Sequence, residues 1–299
     1  MLKVEHVTKY YDKVKAVDDL SFEVKDGEIF GLLGINGAGK TTTFRMINGL
    51  LDKTEGEITF NGKKIDYSVT DKIGFLTEER SLLTKLTVKQ QAYLYGGLKG
   101  LSDSEIEKRL DKLLEKLEIT DYKNRKIKEL SKGNQQKVQF IMSIINEPKL
   151  LILDEPFSGL DPINIELFKG LILELKDKGT SIIFSSHRMD HVEFFCDSLV
   201  ILVKGKTVLE GNLKQIKEDY QKKNIIVEGN IDADKIAKIP GVLKVKENKG
   251  TFTISIENKE VNEKVFKEVS KSKNITKYLL EDASLNEIFI EKVGASYEK

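Results

Sequence analysis

The sequence has little of what an extracellular or membrane-embedded chain contains. It has one cysteine, Cys196, so it cannot form an internal disulfide, and nothing indicates an oxidising compartment. Its longest apolar runs, such as Leu150–Leu153 and Leu199–Val203, are far shorter than the roughly 20 residues of a membrane-spanning helix. The N-terminus lacks the apolar core of a signal peptide. We therefore expect a soluble, cytoplasmic chain, whose place at a membrane would depend on a partner.

The chain also lacks an excess of charge of either sign. Lys and Arg number 49 against 48 Asp and Glu, which leaves a formal net charge of +1. This balance gives no global attraction to nucleic acid, and we expect no nucleic-acid partner. Hydrophobic residues at 39% and charged residues at 32% are typical of a globular chain. Its 299 residues suffice for one large domain and a smaller one.

Apolar strands and amphipathic helices alternate over residues 1–223. A helical stretch over about 83–146 interrupts the alternation and would form a subdomain. Because strands that alternate with helices lie parallel in one sheet, we expect an α/β fold with helices covering the sheet. The clearest elements are, in chain order, Ile29–Leu33 (strand), Thr41–Leu50 (helix), Lys149–Leu153 (strand), Ile163–Lys176 (helix) and Ser181–Phe184 (strand).

A second, smaller domain is predicted over 224–299. It follows a lysine-rich stretch, 214–223, that would be a linker or an exposed helix. The order strand, helix, two strands, helix, strand is that of an α+β ferredoxin-like domain. This domain could regulate the first, aid its dimerisation or cap it, and its sequence does not decide among these roles.

A phosphate loop joins the first buried strand to the first helix. The motif G-x-x-x-x-G-K-[ST] is matched by Gly34-Ile35-Asn36-Gly37-Ala38-Gly39-Lys40-Thr41. Glycines let successive N–H groups point into one concavity, and the helix that follows adds the positive end of its dipole. Lys40 would reach the β- and γ-phosphates of ATP, Thr41 would bind Mg²⁺, and Thr42 would add a phosphate contact.

Two carboxylates follow the apolar strand Leu150–Leu153. In open α/β sheets, ligands bind at the carboxyl ends of the strands. Asp154 is therefore placed to hold Mg²⁺, and Glu155 to orient a water molecule and accept its proton. Two solvated acids at a strand end would be the ordinary interpretation of this pair, but the phosphate loop beside it favours the catalytic one.

These motifs resemble one family, the ATP-binding subunits of ABC transporters, over residues 1–223. The most specific match is to the signature of that family, usually L-S-G-G-Q. Ser131 and Gly133 are kept, whereas Lys132 and Asn134 depart from the usual sequence. The matching residues are Leu130-Ser131-Lys132-Gly133-Asn134-Gln135-Gln136.

The resemblance implies a pair of ATPase subunits with the nucleotide between them. In this family the signature serine and glycine of one subunit contact the γ-phosphate held by the other. Ser131 and Gly133 would then close on ATP and lose that preference with ADP. The second subunit could be an identical copy or a different chain.

Further matches follow from position. Asp161, in Ser158-Gly159-Leu160-Asp161, corresponds to a loop that crosses the dimer, and His187 to the histidine that contacts the γ-phosphate. Tyr11, 23 residues before Gly34, corresponds to the aromatic that stacks on adenine, with Tyr10 as a rival. His6 and His191 match no family position.

Glu78 stands where the family usually has glutamine, after Ile73-Gly74-Phe75-Leu76-Thr77. A carboxylate can still bind Mg²⁺ or water, but it repels the phosphates where an amide would not. The resemblance therefore implies that Glu78 carries the coupling and catalytic role with altered pH or metal dependence. The alternative is an exposed acid in the run Glu78-Glu79-Arg80.

The resemblance is strongest to a bacterial export subgroup with a small C-terminal domain, similar to ATPases of sodium, drug or peptide export. It implies a separate integral membrane permease, one of whose helices would enter a groove near Glu78–Leu86, and a position on the inner face of the cell membrane. Two other classes stay open from the residues: a soluble ABC-type ATPase of translation or DNA repair, and an unrelated P-loop kinase or GTPase. No second ATPase domain, long coiled coil or Asn-Lys-x-Asp motif supports them.

Overall fold

The computed structural model describes residues 1–79 and 81–297. They form two compact units, Met1–Glu210 and Gly211–Lys299. The sequence predicts the domain boundary after Lys223, whereas the second unit begins at Gly211. The lysine-rich stretch therefore belongs to the second unit, to which it contributes helix Leu213–Asp219, and Lys223 begins a strand. Among the described residues, no helix has the length and apolar content to span a membrane.

Among the described residues, ten strands form the two sheets of the first unit, and the tenth runs on past Glu210. They are β1 (Leu2–Tyr11), β2 (Val14–Val24), β3 (Ile29–Gly34), β4 (Glu55–Phe60), β5 (Lys63–Lys64), β6 (Ile73–Leu76), β7 (Leu150–Asp154), β8 (Ser181–Ser185), β9 (Ser198–Val203) and β10 (Lys206–Asn212). Its helices are α1 (Lys40–Ile47), α2 (Tyr67–Thr70), α3 (Val88–Leu98), α4 (Asp103–Lys116), α5 (Lys132–Ile144), α6 (Pro162–Asp177) and α7 (Met189–Phe195).

The larger sheet has six strands in the order β10-β9-β3-β8-β7-β6. The pairs from β9 to β6 are all parallel, as the alternation of strands and helices predicts. Every residue of β7 and β8 is buried, which explains why these strands read as continuous apolar runs rather than alternating ones. The carboxyl ends of β3, β7 and β8 therefore meet at one edge of the sheet.

The smaller sheet of the first unit is antiparallel, in the order β2-β1-β4-β5. Its apolar side chains form one core with residues of α1 and of the larger sheet, including Leu2, Leu20, Leu32, Phe44 and Phe60. The turn between β1 and β2 is short, because β1 runs on to Tyr11 and β2 begins at Val14.

The insert predicted over about 83–146 contains α3, α4 and α5. Ser102 caps α4 in a capping box: its hydroxyl accepts a hydrogen bond from the backbone N–H of Glu105, and the Glu105 side chain accepts one from the N–H of Ser102. Thr87 and Gln90 form a second capping box at the start of α3. These reciprocal bonds satisfy N–H groups that a helix start leaves unpaired.

The second unit contains one four-stranded antiparallel sheet in the order β12-β13-β11-β14. Its first and third strands lie in the centre, and apolar residues of the sheet, α9 and α10 form one core. The β-α-β-β-α-β order of the predicted ferredoxin-like domain is confirmed. The elements are α8 (Leu213–Asp219), β11 (Lys223–Glu228), α9 (Ala233–Ala237), β12 (Val242–Asn248), β13 (Thr251–Ile256), α10 (Val261–Val269), β14 (Lys277–Asp282) and α11 (Leu285–Tyr297).

Candidate nucleotide site

The loop between β3 and α1 has a backbone that only glycine can adopt at two points. Gly34 has a φ of 153° and Gly39 a φ of 104°, both in the region that favours glycine. A Cβ on Gly34 would lie 2.5 Å from the carbonyl oxygen of Leu202, and one on Gly39 would lie 2.6 Å from that of Ala16. Both positions are thus closed to any side chain, because the loop packs directly against the backbone of β9 at Leu202 and of β2 at Ala16.

Lys40, the first residue of α1, folds back over this loop. Its Nζ donates to the carbonyl oxygens of Gly34 at 2.7 Å and Ile35 at 3.3 Å. Thr41 is exposed and Thr42 half-buried in the first turn of α1, and that turn carries no acidic residue. An ammonium group and the free N–H groups of a helix start together suit an anion. Of the remaining loop residues, Asn36 and Gly37 are exposed and Ala38 is buried.

Asp154 ends β7 and is almost completely buried, with 3% of its surface exposed. The Ser185 hydroxyl, at the end of β8, donates to Asp154 Oδ1 at 2.6 Å. Burial raises the pKa of the Asp154 carboxyl, against this hydrogen bond, and the charge of Glu78 raises it further while Lys40 lowers it. A buried carboxylate with one hydroxyl partner has oxygen lone pairs left for a cation.

Glu155 has a left-handed backbone, with a φ of 50°. Its N–H points at Ser185, with the carbonyl oxygen at 3.3 Å and the hydroxyl at 3.2 Å. This conformation is unusual for a residue with a side chain, and it is held here by β8. It turns the carboxylate away from the direction that Asp154 takes.

The Glu155 carboxylate forms a close pair with His187. Its Oε2 lies 2.8 Å from His187 Nδ1, and the two side chains are 12% and 77% exposed, respectively. Burial raises the pKa of Glu155, and the His187 interaction opposes this. A shielded carboxylate with a raised pKa is suited to accept a proton from a water molecule.

Glu78 is exposed, and it follows β6 on the neighbouring side of β7. Its charge reaches Asp154, where it raises the carboxyl pKa. The flanking residues Thr77 and Glu79 are held by Gln139 of α5, a residue that the sequence motifs do not single out. Arg80, the end of the run predicted here, lies outside the described residues.

Ser131 and Asp161 each begin a helix. Ser131 caps α5, its Oγ accepting from the N–H of Asn134 at 3.3 Å. Asp161 caps α6, its Oδ1 accepting from the N–H of Asn164 at 2.9 Å, and this bond helps to lower the pKa of Asp161. Both side chains therefore hold the starts of helices within their own unit.

The start of α5 lies against the loop that follows Glu155. A Cβ built on Gly133 would be 3.8 Å from the carbonyl oxygen of Gly159, and Gln136 Nε2 donates to the carbonyl oxygen of Pro156 at 3.0 Å. The hydrogen bond from Gln136 to Pro156 thus ties α5, which carries the signature residues, to the residue that follows Glu155.

The two candidate aromatics remain equivalent in this geometry. Tyr11 is 43% and Tyr10 39% exposed. Lys9 Nζ lies 5.5 Å from the Tyr11 ring centre, and Lys15 Nζ lies 5.5 Å from the Tyr10 ring centre. Either ring has a free surface on which a base could stack.

Comparison with known proteins places these features in a family. Residues 17–158 match the family model described as ABC transporter, and residues 211–293 match that of the C-terminal domain of DrrA1-3-like ATP-binding proteins. The ABC transporter ATP-binding protein YhaQ of Bacillus subtilis is 49% identical over 298 residues, which covers 100% of both chains. The chain belongs to the ABC transporter ATP-binding proteins.

Two further ABC proteins are similar over about seven-tenths of the chain. The linearmycin resistance ATP-binding protein LnrL of Bacillus subtilis is 36% identical over 214 residues, 71% of this chain and 69% of its own. A solved dimeric post-hydrolysis state of the ATP-binding cassette MJ0796 bound to ADP and Pi superimposes with a TM-score of 0.67 at 27% identity, covering 71% of this chain and 99% of that one. The predicted ABC-type fold with a helical subdomain is confirmed.

Several residues of the candidate site escape prediction from the sequence. Ser185 holds Asp154 and Glu155, and Gln136 and Gln139 tie α5 to the loops around them. A family motif gives no sign of Gln139 because its contacts lie 62 residues away in sequence. For Ser185 the sequence offers one indication: it lies at the carboxyl end of an apolar strand, where ligands bind in α/β sheets.

Proposed function

We propose that the chain binds and hydrolyses MgATP as one half of an ATPase pair, and that this cycle drives export through a separate membrane permease. The observation that carries the proposal is the shielded Glu155 carboxylate, hydrogen-bonded to His187 and adjacent to buried Asp154. This group lies at the same sheet edge as the phosphate loop.

The residues present fit a magnesium–nucleotide complex. Lys40 would exchange its bonds to the carbonyls of Gly34 and Ile35 for bonds to phosphate oxygens. Thr41, Asp154 and Glu78 would hold Mg²⁺, directly or through water. The ion supplies neutralisation of phosphate charge. Tyr11 would stack on the adenine.

Glu155 would act on the attacking water. Its carboxylate would accept the proton of the water as the oxygen bonds to the γ-phosphorus and the bond to the β-phosphate oxygen breaks. His187, mostly exposed while paired with Glu155, would hold that carboxylate in place and face the γ-phosphate. The raised pKa of Glu155 makes it a better base than an exposed carboxylate.

A second subunit would complete the site. Ser131, Gly133 and Asp161 belong to helix starts rather than to the phosphate loop, and in the proposed pair they would meet the nucleotide of the other subunit. The dimeric cassette to which the first unit is similar supports this arrangement. The partner would be an identical copy or a related chain.

A groove in the first unit suits the permease. It has a volume of about 540 Å³ and lies among the end of α1, β6, α3 and α5, with Leu50, Phe75, Tyr95 and Met142 on its walls and Lys99 at its side. An amphipathic helix of a membrane subunit would place its apolar face there. The chain would then lie on the inner face of the membrane. The similarity to LnrL favours export among transport directions.

Glu155→Gln tests the proposal. The amide cannot take the proton of water, so we expect ATP turnover by the purified chain to fall by about 100-fold or more, with ATP affinity within about twofold of wild type. Phosphate release and equilibrium dialysis measure the two quantities, and Glu115→Gln on the exposed face of α4 is the matched control. Turnover by Glu155→Gln at the wild-type rate would overturn the assignment of the base.

A further inference from the structure

A single buried side chain grips the backbone on both sides of Glu78. Gln139 is 3% exposed, and its Nε2 lies 2.9 Å from the carbonyl oxygen of Thr77 and 3.1 Å from that of Glu79. The same nitrogen lies 3.1 Å from Thr77 Oγ1, and that hydroxyl donates to the Glu79 carbonyl at 2.5 Å. Thr77, Glu79 and Gln139 therefore close a ring of hydrogen bonds around Glu78.

The chemistry of the ring fixes the orientation of the amide. Two of its three neighbours are carbonyl oxygens, which only accept hydrogen bonds, so the NH₂ group of Gln139 must face them. The other end of the amide, Oε1, is buried and has no hydrogen-bond partner among the described residues. A buried acceptor left unpaired is unfavourable. The hydrogen bonds of the Gln139 NH₂ group to Thr77 and Glu79 therefore account for the position of this side chain, and its oxygen does not.

Gln139 also connects this loop to two other parts of the site. It lies on α5, which begins at the Ser131 cap, and it is one of the residues lining the groove proposed for the permease. Gln139 lies eight positions after Ser131 in sequence, which is about 12 Å along the helix axis. Movement of α5 would therefore carry the Glu78 loop with it.

We propose that Gln139 is a positioning residue that sets the place of Glu78 relative to Asp154 and makes the loop follow the movements of α5. The role of Glu78 at the metal rests on the proposed function, whereas the grip of Gln139 on the loop does not. Glu78 already influences Asp154 electrostatically. A loop released from Gln139 would let the exposed Glu78 carboxylate leave that position, and cation binding at the site would weaken.

Two substitutions at position 139 separate this role from folding. Gln139→Met keeps the length of the side chain and removes both the gripping donor and the unpaired acceptor, so the melting temperature is expected to change little. Gln139→Glu keeps the shape but turns carboxylate oxygens toward the carbonyls, which loosens the loop further. Ser143→Ala is the control, because Ser143 lines the same groove while its hydroxyl donates within α5, to the carbonyl oxygen of Phe140.

Hydrogen–deuterium exchange of the nucleotide-free full chain tests the grip. In peptides that end at Glu79, we expect exchange to quicken at least threefold in Gln139→Met and more in Gln139→Glu, with the first turns of α5 unchanged. Ser143→Ala is expected to match the wild type. Wild-type exchange in both Gln139 variants would overturn the proposal.

Magnesium dependence tests the action through Glu78. In Gln139→Met, the Mg²⁺ concentration for half-maximal ATP hydrolysis is expected to rise at least threefold, and adding the same change to Glu78→Gln should shift it less than 1.5-fold, because the two residues act as one unit. If Gln139→Met shifts this Mg²⁺ concentration equally in the wild-type and Glu78→Gln backgrounds, or in neither, Gln139 does not act through Glu78. A wild-type chain without ATPase activity would instead refute the proposed function and leave the exchange experiment decisive.

Discussion

At the residue scale, the adjacent acids Asp154 and Glu155 differ in backbone conformation and in hydrogen-bond partner. Asp154 continues β7 into the interior, where Ser185 is its hydroxyl partner, whereas Glu155 turns through a left-handed backbone to meet His187. Burial raises the pKa of both carboxyls. Burying two adjacent carboxylates is unfavourable for folding until a cation binds beside them. Such unfavourable burial is typical of functional sites.

The raised pKa of Asp154 predicts how stability depends on pH. A carboxyl whose pKa rises on folding binds its proton more tightly in the folded chain, so its unfavourable effect on folding grows as pH rises from the ordinary value of 3.8 through the folded one. Asp154→Asn removes this effect and keeps an oxygen that Ser185 can bond. We expect the nucleotide-free variant to melt about 2–4 °C above wild type at pH 7.5.

Thermal unfolding between pH 4 and 8 checks this expectation. The gap between Asp154→Asn and wild type should narrow as pH falls, because the wild-type carboxyl then becomes neutral too. A variant that melts below wild type at pH 7.5 would show that Asp154 supports the fold as a carboxylate. Ser185→Ala, which removes the hydroxyl from Asp154, serves as a comparison and should lower the melting temperature.

The chemistry of single residues was predictable only where a local motif carries it. Asp154 and Glu155 follow an apolar strand, and the loop Gly34–Thr41 has fixed spacing, so both could be found in the sequence. Ser185 bonds to Asp154 across 31 residues and Gln139 to Thr77 across 62. Such contacts depend on which strands and helices become neighbours, and no spacing rule gives that.

At the element scale, α5 begins earlier than its sequence suggests. Helix α5 spans Lys132–Ile144 because Ser131 caps it. Lys132, Gly133 and Asn134 are weak helix formers as a group, and the cap outweighs their preference. The cap uses a lone pair of the Ser131 hydroxyl, so the O–H remains able to donate to a phosphate.

Substitutions can separate the two roles of Ser131, the capping of α5 and the proposed contact with a phosphate. Ser131→Ala loses the cap and is expected to lower the free energy of unfolding by about 1 kcal/mol. Ser131→Asp restores a capping oxygen and should recover that stability, but it places negative charge where the proposed pair brings a phosphate. Urea unfolding of the two variants and the wild type measures the effect. Equal stability of Ser131→Ala and Ser131→Asp would contradict the capping role.

Short helices were harder to predict than long ones. Helix α7 spans only Met189–Phe195 and carries too few turns to show a periodic apolar face. It buries His191, whose ring centre lies 4.7 Å from that of Phe157, and burial lowers the pKa of His191. His191, for which the sequence indicated no function, is therefore part of the core next to Glu155.

At the scale of the whole molecule, the alternation of strands and helices was enough to predict a parallel sheet but not its strand order. The observed order, β10-β9-β3-β8-β7-β6, brings strands from distant parts of the sequence together, and it is this order that collects the phosphate loop, the acidic pair and His187 at one edge. In the second unit, six elements in the order β-α-β-β-α-β allow few sheet arrangements, and the predicted one was found.

We propose that two such subunits close on ATP, each covering the nucleotide of the other with its Ser131 helix. A helix start and a hydroxyl that meet a γ-phosphate bind it in the ATP state and lose it with ADP. In this proposal the nucleotide would bias a two-state pair, and the free energy of closure would become available to a permease in the groove.

Sedimentation of the Glu155→Gln chain tests this claim most directly. We expect a monomer without nucleotide and with MgADP, and a dimer with MgATP, because the variant binds ATP without consuming it. Adding Ser131→Arg should keep the chain monomeric with MgATP while its ATP affinity stays within about twofold of the Glu155→Gln parent. A dimer that forms as readily with Ser131→Arg, or a chain that stays monomeric in MgATP without it, would contradict the account.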